Sequence, residues 1–138
     1  MQDFKKVQAW HKARALTISI TRASSGFQGD AAHGLRSQLM RAVMAIATNI
    51  AEGAGRDTRP DFARFISMAI GSVSEVEHLI SARDLELIDE RTLSELTLKV
   101  IEVRRMLFGF RRTLLAREEE ERAKKKKSGK RPKTEDSN

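Results

Sequence analysis

Apolar residues fall at Leu93, Leu96, Val100, Val103, Leu107, Phe110 and Leu114, in alternating steps of three and four. A seam of that period belongs to a helix packed almost parallel to its neighbours, at about +20°. Three earlier segments are also helical in pattern. Over roughly residues 5–23 the apolar face is Val7, Trp10, Ala13, Leu16 and Ile20. The turn-rich SSGFQGD follows, and Asp30 is placed to cap a second helix that buries Leu35, Leu39, Ala42, Val43, Ile46, Ile50 and Gly53. That helix is expected to stop near Gly53 and Gly55, either of which can adopt a left-handed C-cap. Thr58 opens the third helix, with Pro60 in its first turn and Asp61 completing an approximate capping box. Its apolar face is Phe62, Phe65, Ile66, Ala69, Val73, Val76 and Ile80, and it should end between Arg83 and Leu87. Asp89 then caps the fourth helix. No segment alternates with the period of a strand. Short connections make successive helices antiparallel, so the predicted fold is all-α, an up-down-up-down four-helix bundle.

Two helices carry more apolar surface than one core requires. Met40, Met44, Ala47 and Ala51 form a second stripe on the second helix. Ile101, Phe108 and Leu115 do the same on the fourth, roughly 100–130° from its seam. Contiguous exposed apolar patches mark interfaces. Met40, Met44, Ile101, Phe108 and Leu115 are therefore assigned to self-association, against the simpler alternative of a broad core face.

The chain has 138 residues and no cysteine, which excludes disulfides, thiolate metal sites and cysteine nucleophiles. One domain is expected, with the bundle over residues 1–117 and a charged tail over 118–138. The tail should extend the fourth helix to about Lys127, with pairs such as Glu120–Lys124, and be disordered from Ser128. MQDFKKVQAW lacks the apolar core of a secretory signal, and the apolar run 42–51 is too short to span a bilayer. A soluble, cytoplasmic protein with no membrane role is expected. Net charge is +7, which favours anionic partners, nucleic acid first. From Arg117 onward there are 9 Lys/Arg against 6 Asp/Glu, a surplus of 3, so the helical body itself is only mildly basic.

Several residues together resemble a known family. They are Phe4, Trp10 and Ala13; Gly34-Leu35, Gln38-Leu39 and Arg41-Ala42; Asn49-Ile50-Ala51-Glu52-Gly53 with Gly55-Arg56; Phe62 and Phe65; and Gly71-Ser72 with Glu75. The pattern resembles the bacterial four-helix-bundle proteins encoded by intervening sequences in 23S ribosomal RNA genes or elsewhere in genomes. It covers about residues 4–115. The resemblance implies a left-handed antiparallel bundle and a ring-shaped homopentamer. It extends to the accessory proteins of diversity-generating retroelements, basic pentamers that bind nucleic acid and a reverse transcriptase. Where the family has Ser-Ile-Pro-Ser before Asn-Ile-Ala-Glu-Gly, this chain has Ala45-Ile46-Ala47-Thr48, without the proline that would kink the helix. The charged tail is also outside the family pattern.

Other constellations carry less. Asn49, Glu52 and Arg56 are expected to form a structural polar clamp around the Gly53–Gly55 corner, the alternative being a ligand or RNA contact through Arg56. Glu75-x-x-His78 is half of a di-iron ligand set, without the second copy or facing glutamates such a site requires. His11 and His33 join no ligand cluster. EGAGR follows a helix and lacks the Lys-Ser/Thr of a phosphate loop. Gly71 and Gly109 are explained by close helix approach. No cofactor, metal or catalytic residue is assigned, and the chain is not expected to be an enzyme.

The basic residues assigned to nucleic-acid contact are Arg36, Arg41, Arg104, Arg105, Arg111, Arg112 and Lys124, Lys125, Lys126 and Lys127. Phosphate contacts need positive charge but no base readout, and stacking aromatics are scarce outside the core. The expected function is weak electrostatic binding of RNA or DNA by a homo-oligomer, acting as an accessory to a larger assembly. The alternative is a scaffold that binds a larger protein partner through its ring surface.

Overall fold

The computed structural model describes residues 2–83 and 87–129. A single 3-10 turn, Phe4–Lys6, leads into α1 (Gln8–Ser24), α2 (Asp30–Ala54), α3 (Arg59–Arg83) and α4 (Glu90–Gly129). No strand occurs among the described residues. Each helix packs on the next, and α1 also packs on α4, whereas the backbones of α1 and α3, like those of α2 and α4, are not neighbours. The section is a square with α2 and α4 on one diagonal.

Local chemistry sets the helix limits. Asp3 accepts from the Lys5 N–H and starts the N-terminal turn. The Gln2 N–H donates to the Ala54 carbonyl at 2.9 Å, pinning the N-terminal segment to the end of α2. The N-cap of α2 is Gly29, one residue before the expected Asp30. Its φ of 94° is the only left-handed backbone among the described residues, which is why glycine stands there. At α3 the Asp61 N–H donates to Thr58 Oγ1 at 3.2 Å. At α4 the Thr92 N–H donates to Asp89 Oδ1 at 2.7 Å. Both caps agree with the sequence pattern.

The core is the sum of the predicted faces. Leu16, Ile20, Leu39, Ile46, Ile50, Ile66, Val73, Val100 and Leu107 are almost fully removed from water. Leu93, Phe110 and Trp10 are only half-buried, although Val7 and Leu114 at the ends of the same stripes are buried. Ala9, Phe27 and Ile88 join the core although they fall outside the periodic stripes.

The expected left-handed C-cap on α2 does not form. Gly55 has φ −81° and closes the helix by donating its N–H to the Ala51 and Glu52 carbonyls. Gly53 is required for a different reason: a Cβ there would lie 2.6 Å from Phe62 Cδ2 and 2.8 Å from Phe65 Cβ. Gly71 and Gly109 are the reverse case. A Cβ at either meets nothing within 4 Å, so close helix approach does not account for them. Ser128 and Gly129 continue α4, and the remaining tail lies outside the described residues.

Candidate nucleic-acid interface

The basic residues expected to contact nucleic acid fall on separate parts of the bundle. Arg36 sits near the start of α2 in a cleft of about 590 Å³ with Ser25, Phe27, His33, Ser37 and Met40. Its Nε is buried and has no acceptor among the described residues. Arg41 is exposed farther along α2. Since α2 and α4 occupy opposite corners, neither shares a surface with the α4 arginines.

On α4 the arginines divide by helical position. Arg104 and Arg111 lie on the side facing α3. Arg104 is paired with Glu77, which neutralises much of its charge. Arg111 Nη1 donates to Ser67 Oγ at 3.1 Å, and its guanidinium stands 4.8 Å from the Phe108 ring centroid. Arg105 and Arg112 are exposed and make no ion pair among the described residues. On the α1 side, Lys99 donates to Ser19 Oγ at 2.8 Å and Lys12 pairs with Glu102 at 3.1 Å.

Lys124–Lys127 are exposed on the free end of α4, past the point where Arg59 ties that helix to the start of α3. Arg59 Nη1 lies 2.7 Å from Glu121 Oε1 and 4.0 Å from Glu118 Oε2. The hydrogen bond from Arg59, then its charge, hold the Glu121 carboxyl below the usual glutamate range. The expected Glu120–Lys124 pair is absent; Arg122 reaches back to Glu118 at 3.5 Å instead. These groups border a cleft of about 490 Å³ with Arg56, Asp57 and Arg117, mixed in charge.

The self-association residues also divide. Met44 is 54% exposed, whereas Met40 is half-buried under Thr21 Oγ1. Phe108 and Leu115 are 38% and 44% exposed, and Ile101 is half-buried. The α4 set belongs to a longer row: Leu98, Ile101, Arg105, Phe108, Arg112 and Leu115, again in steps of three and four. Two cations therefore interrupt the stripe. Leu98, 68% exposed, was legible from that same spacing and was missed, as were Ile18 on α1 and Met68 on α3.

Asn49, Glu52 and Arg56 are not brought into one network. Asn49 Nδ2 donates to the Ala45 carbonyl of its own helix. Glu52 is exposed and pairs with nothing among the described residues. Arg56 turns across the corner to α3, 3.7 Å from Asp61 Oδ2 and 4.6 Å above the Phe65 ring. The corner is held by the Gly53–Phe62–Phe65 packing and this Arg56 contact, because Asp61 competes better for Arg56 than Glu52 on the outer side of α2.

A family model described as 23S rRNA-intervening sequence protein matches residues 5–109. The chain belongs to that family. No curated protein matches it. The 23S rRNA-intervening sequence protein match takes in α1, α2, α3 and α4 as far as Gly109, with Arg104, Arg105 and Phe108 inside it. Arg111, Arg112 and Lys124–Lys127 lie beyond its end. Among the described residues no group of three His, Asp or Glu side chains could hold a metal, and Glu75 and His78 gather no further ligand. No helix of the described residues is long and apolar enough to cross a membrane.

Proposed function

We propose that the protein is a non-enzymatic, self-associating helical bundle that binds the backbone of RNA or DNA electrostatically in the cytoplasm. The observation that carries this reading is the pair Arg105 and Arg112, exposed on the outer surface of α4 with no carboxylate paired to them among the described residues. No Asp or Glu occurs between Val103 and Arg117. The lysine-rich end of α4 adds charge on the same helix. Contacts of this kind position a phosphate backbone without reading its sequence. The family description, which ties its members to a 23S rRNA locus, agrees with an RNA partner.

Self-association is assigned to Met44 on α2 with Ile18 on the neighbouring α1, and to Leu98 and Ile101 on α4, the helix diagonal to α2. Two unlike patches give a head-to-tail contact, which closes into a ring when the rotation allows. Five subunits is the number the family resemblance favours. The arginines beside Phe108 and Leu115 make that end of the stripe a poorer apolar contact than Leu98 and Ile101.

Fluorescence polarisation with labelled RNA and DNA across a salt series tests the binding. Affinity should fall linearly in log–log form with salt, and Arg105→Glu with Arg112→Glu should weaken it and flatten the slope. A salt-independent signal, or full affinity in the double variant, overturns the reading. The exposed Leu98 favours one second reading, a scaffold for a larger protein partner held by apolar contact. That partner would survive the charge reversal.

A further inference from the structure

Phe108 is the exposed ring of the chain: the other Phe residues and Trp10 are buried or half-buried. It is flanked at −4, −3, +3 and +4 by Arg104, Arg105, Arg111 and Arg112, the four positions that adjoin a residue on a helix surface. The inner pair is fixed. Glu77 holds Arg104, and Ser67 holds Arg111 with its guanidinium against the Phe108 ring. The outer pair is exposed and separated by seven residues, about 10.5 Å along the axis, so it straddles the ring. Gly109 lies on the other side of Arg105 and Arg112 from Phe108, where it lines a cleft of about 320 Å³ with Gln2, Lys6, Val7, Met106 and Phe110. Packing does not demand a glycine there, since a Cβ would meet nothing within 4 Å. In a helix interior that glycine costs about 1 kcal/mol against alanine.

Three occupants differ in how they meet this surface. A second copy would have to cover Arg105 and Arg112, and the α1 and α2 surfaces that carry Ile18 and Met44 offer Arg14 and Arg41 rather than carboxylates, so both arginines would be desolvated without partners. A duplex presents phosphates but keeps its bases stacked away from a ring on a helix surface. A single strand has free base faces and flanking phosphates together. We propose that Phe108 is a base-stacking platform for single-stranded RNA or DNA, with Arg105 and Arg112 binding the phosphates on either side of the stacked nucleotide. This deepens the nucleic-acid reading above and rests on it.

The test compares four labelled probes of equal length: oligo(U), oligo(dT), an abasic deoxyribose-phosphate strand and a DNA duplex. Wild type should bind oligo(U) or oligo(dT) more tightly than the abasic strand or the duplex, the two single-strand arms separating RNA from DNA. Phe108→Ala should weaken single-strand binding about 5- to 100-fold. It should leave abasic binding and the salt slope unchanged, and Phe108→Trp should restore the loss. Equal binding of abasic and base-bearing strands, unchanged by Phe108→Ala, removes the platform and leaves the electrostatic reading standing. Failure to bind any probe at low salt removes both. Light scattering on Phe108→Ala supplies the remaining outcome: dissociation of the oligomer would make the ring a contact between copies and overturn the proposal.

Discussion

Gly53 on α2 and Phe62 on α3 approach so closely that a methyl group cannot be placed between them, a Cβ at Gly53 standing 2.6 Å from Phe62 Cδ2. Phe65 closes the other side through its own Cβ at 2.8 Å, an atom fixed to the backbone of α3. The corner between α2 and α3 therefore depends on an absent side chain. Gly53→Ala should destabilise the fold by about 1–3 kcal/mol, as overpacking does. Gly109→Ala, in open space, should be neutral or stabilise by up to about 1 kcal/mol. Thermal unfolding of the two variants should move in opposite directions, and equal shifts would contradict the packing described.

Asp89 caps α4 through the Thr92 N–H and the Thr92 hydroxyl, and the backbone bond is the main reason its carboxyl lies below the ordinary value of 3.8. A carboxyl depressed in the folded state stabilises that state above its unfolded pKa and loses this as pH falls through the folded value. Asp89→Ala should thus lower Tm at neutral pH, and its gap from wild type should close below pH 3.8. A gap that persists or widens in acid would count against the cap.

Met44 occupies the outer corner of α2 with more than half of its surface in water. Met44→Asp should convert the oligomer to monomers in light scattering while the helical circular dichroism stays unchanged. A wild-type protein already monomeric at micromolar concentration would remove the self-association proposal.

The sequence was most readable where one physical constraint acted alone. The seam from Leu93 to Leu114 specified its helix because a buried stripe on a 3.6-residue repeat has few alternatives. Thr58 and Asp89 were legible as caps because each acts on residues three positions away. Gly53 reads in the sequence as a helix end, whereas its need for glycine comes from close approach between helices, which depends on which residue of α3 lies opposite. Arg56 was grouped with Glu52 by spacing along one helix, yet its acceptor, Asp61, lies on the next. Arg104 looked like a free cation for the same reason, and Glu77 on α3 takes much of its charge. The proposed nucleic-acid surface was legible as a list of cations. Which of them remain available was a question of neighbours across helices, which spacing does not contain.

The length of α4 has one more consequence. It has 40 residues beside an α3 of 25, about 60 Å against about 38 Å. Arg59 fastens it at Glu121, so Arg122–Gly129 form a mast rising up to about 12 Å clear of that joint. At physiological ionic strength a charge is screened over about 8 Å. The lysines near the mast tip are thus electrically remote from Arg105 and Arg112: they can meet a polyanion first, and removing them would leave the potential over the side of the molecule almost untouched.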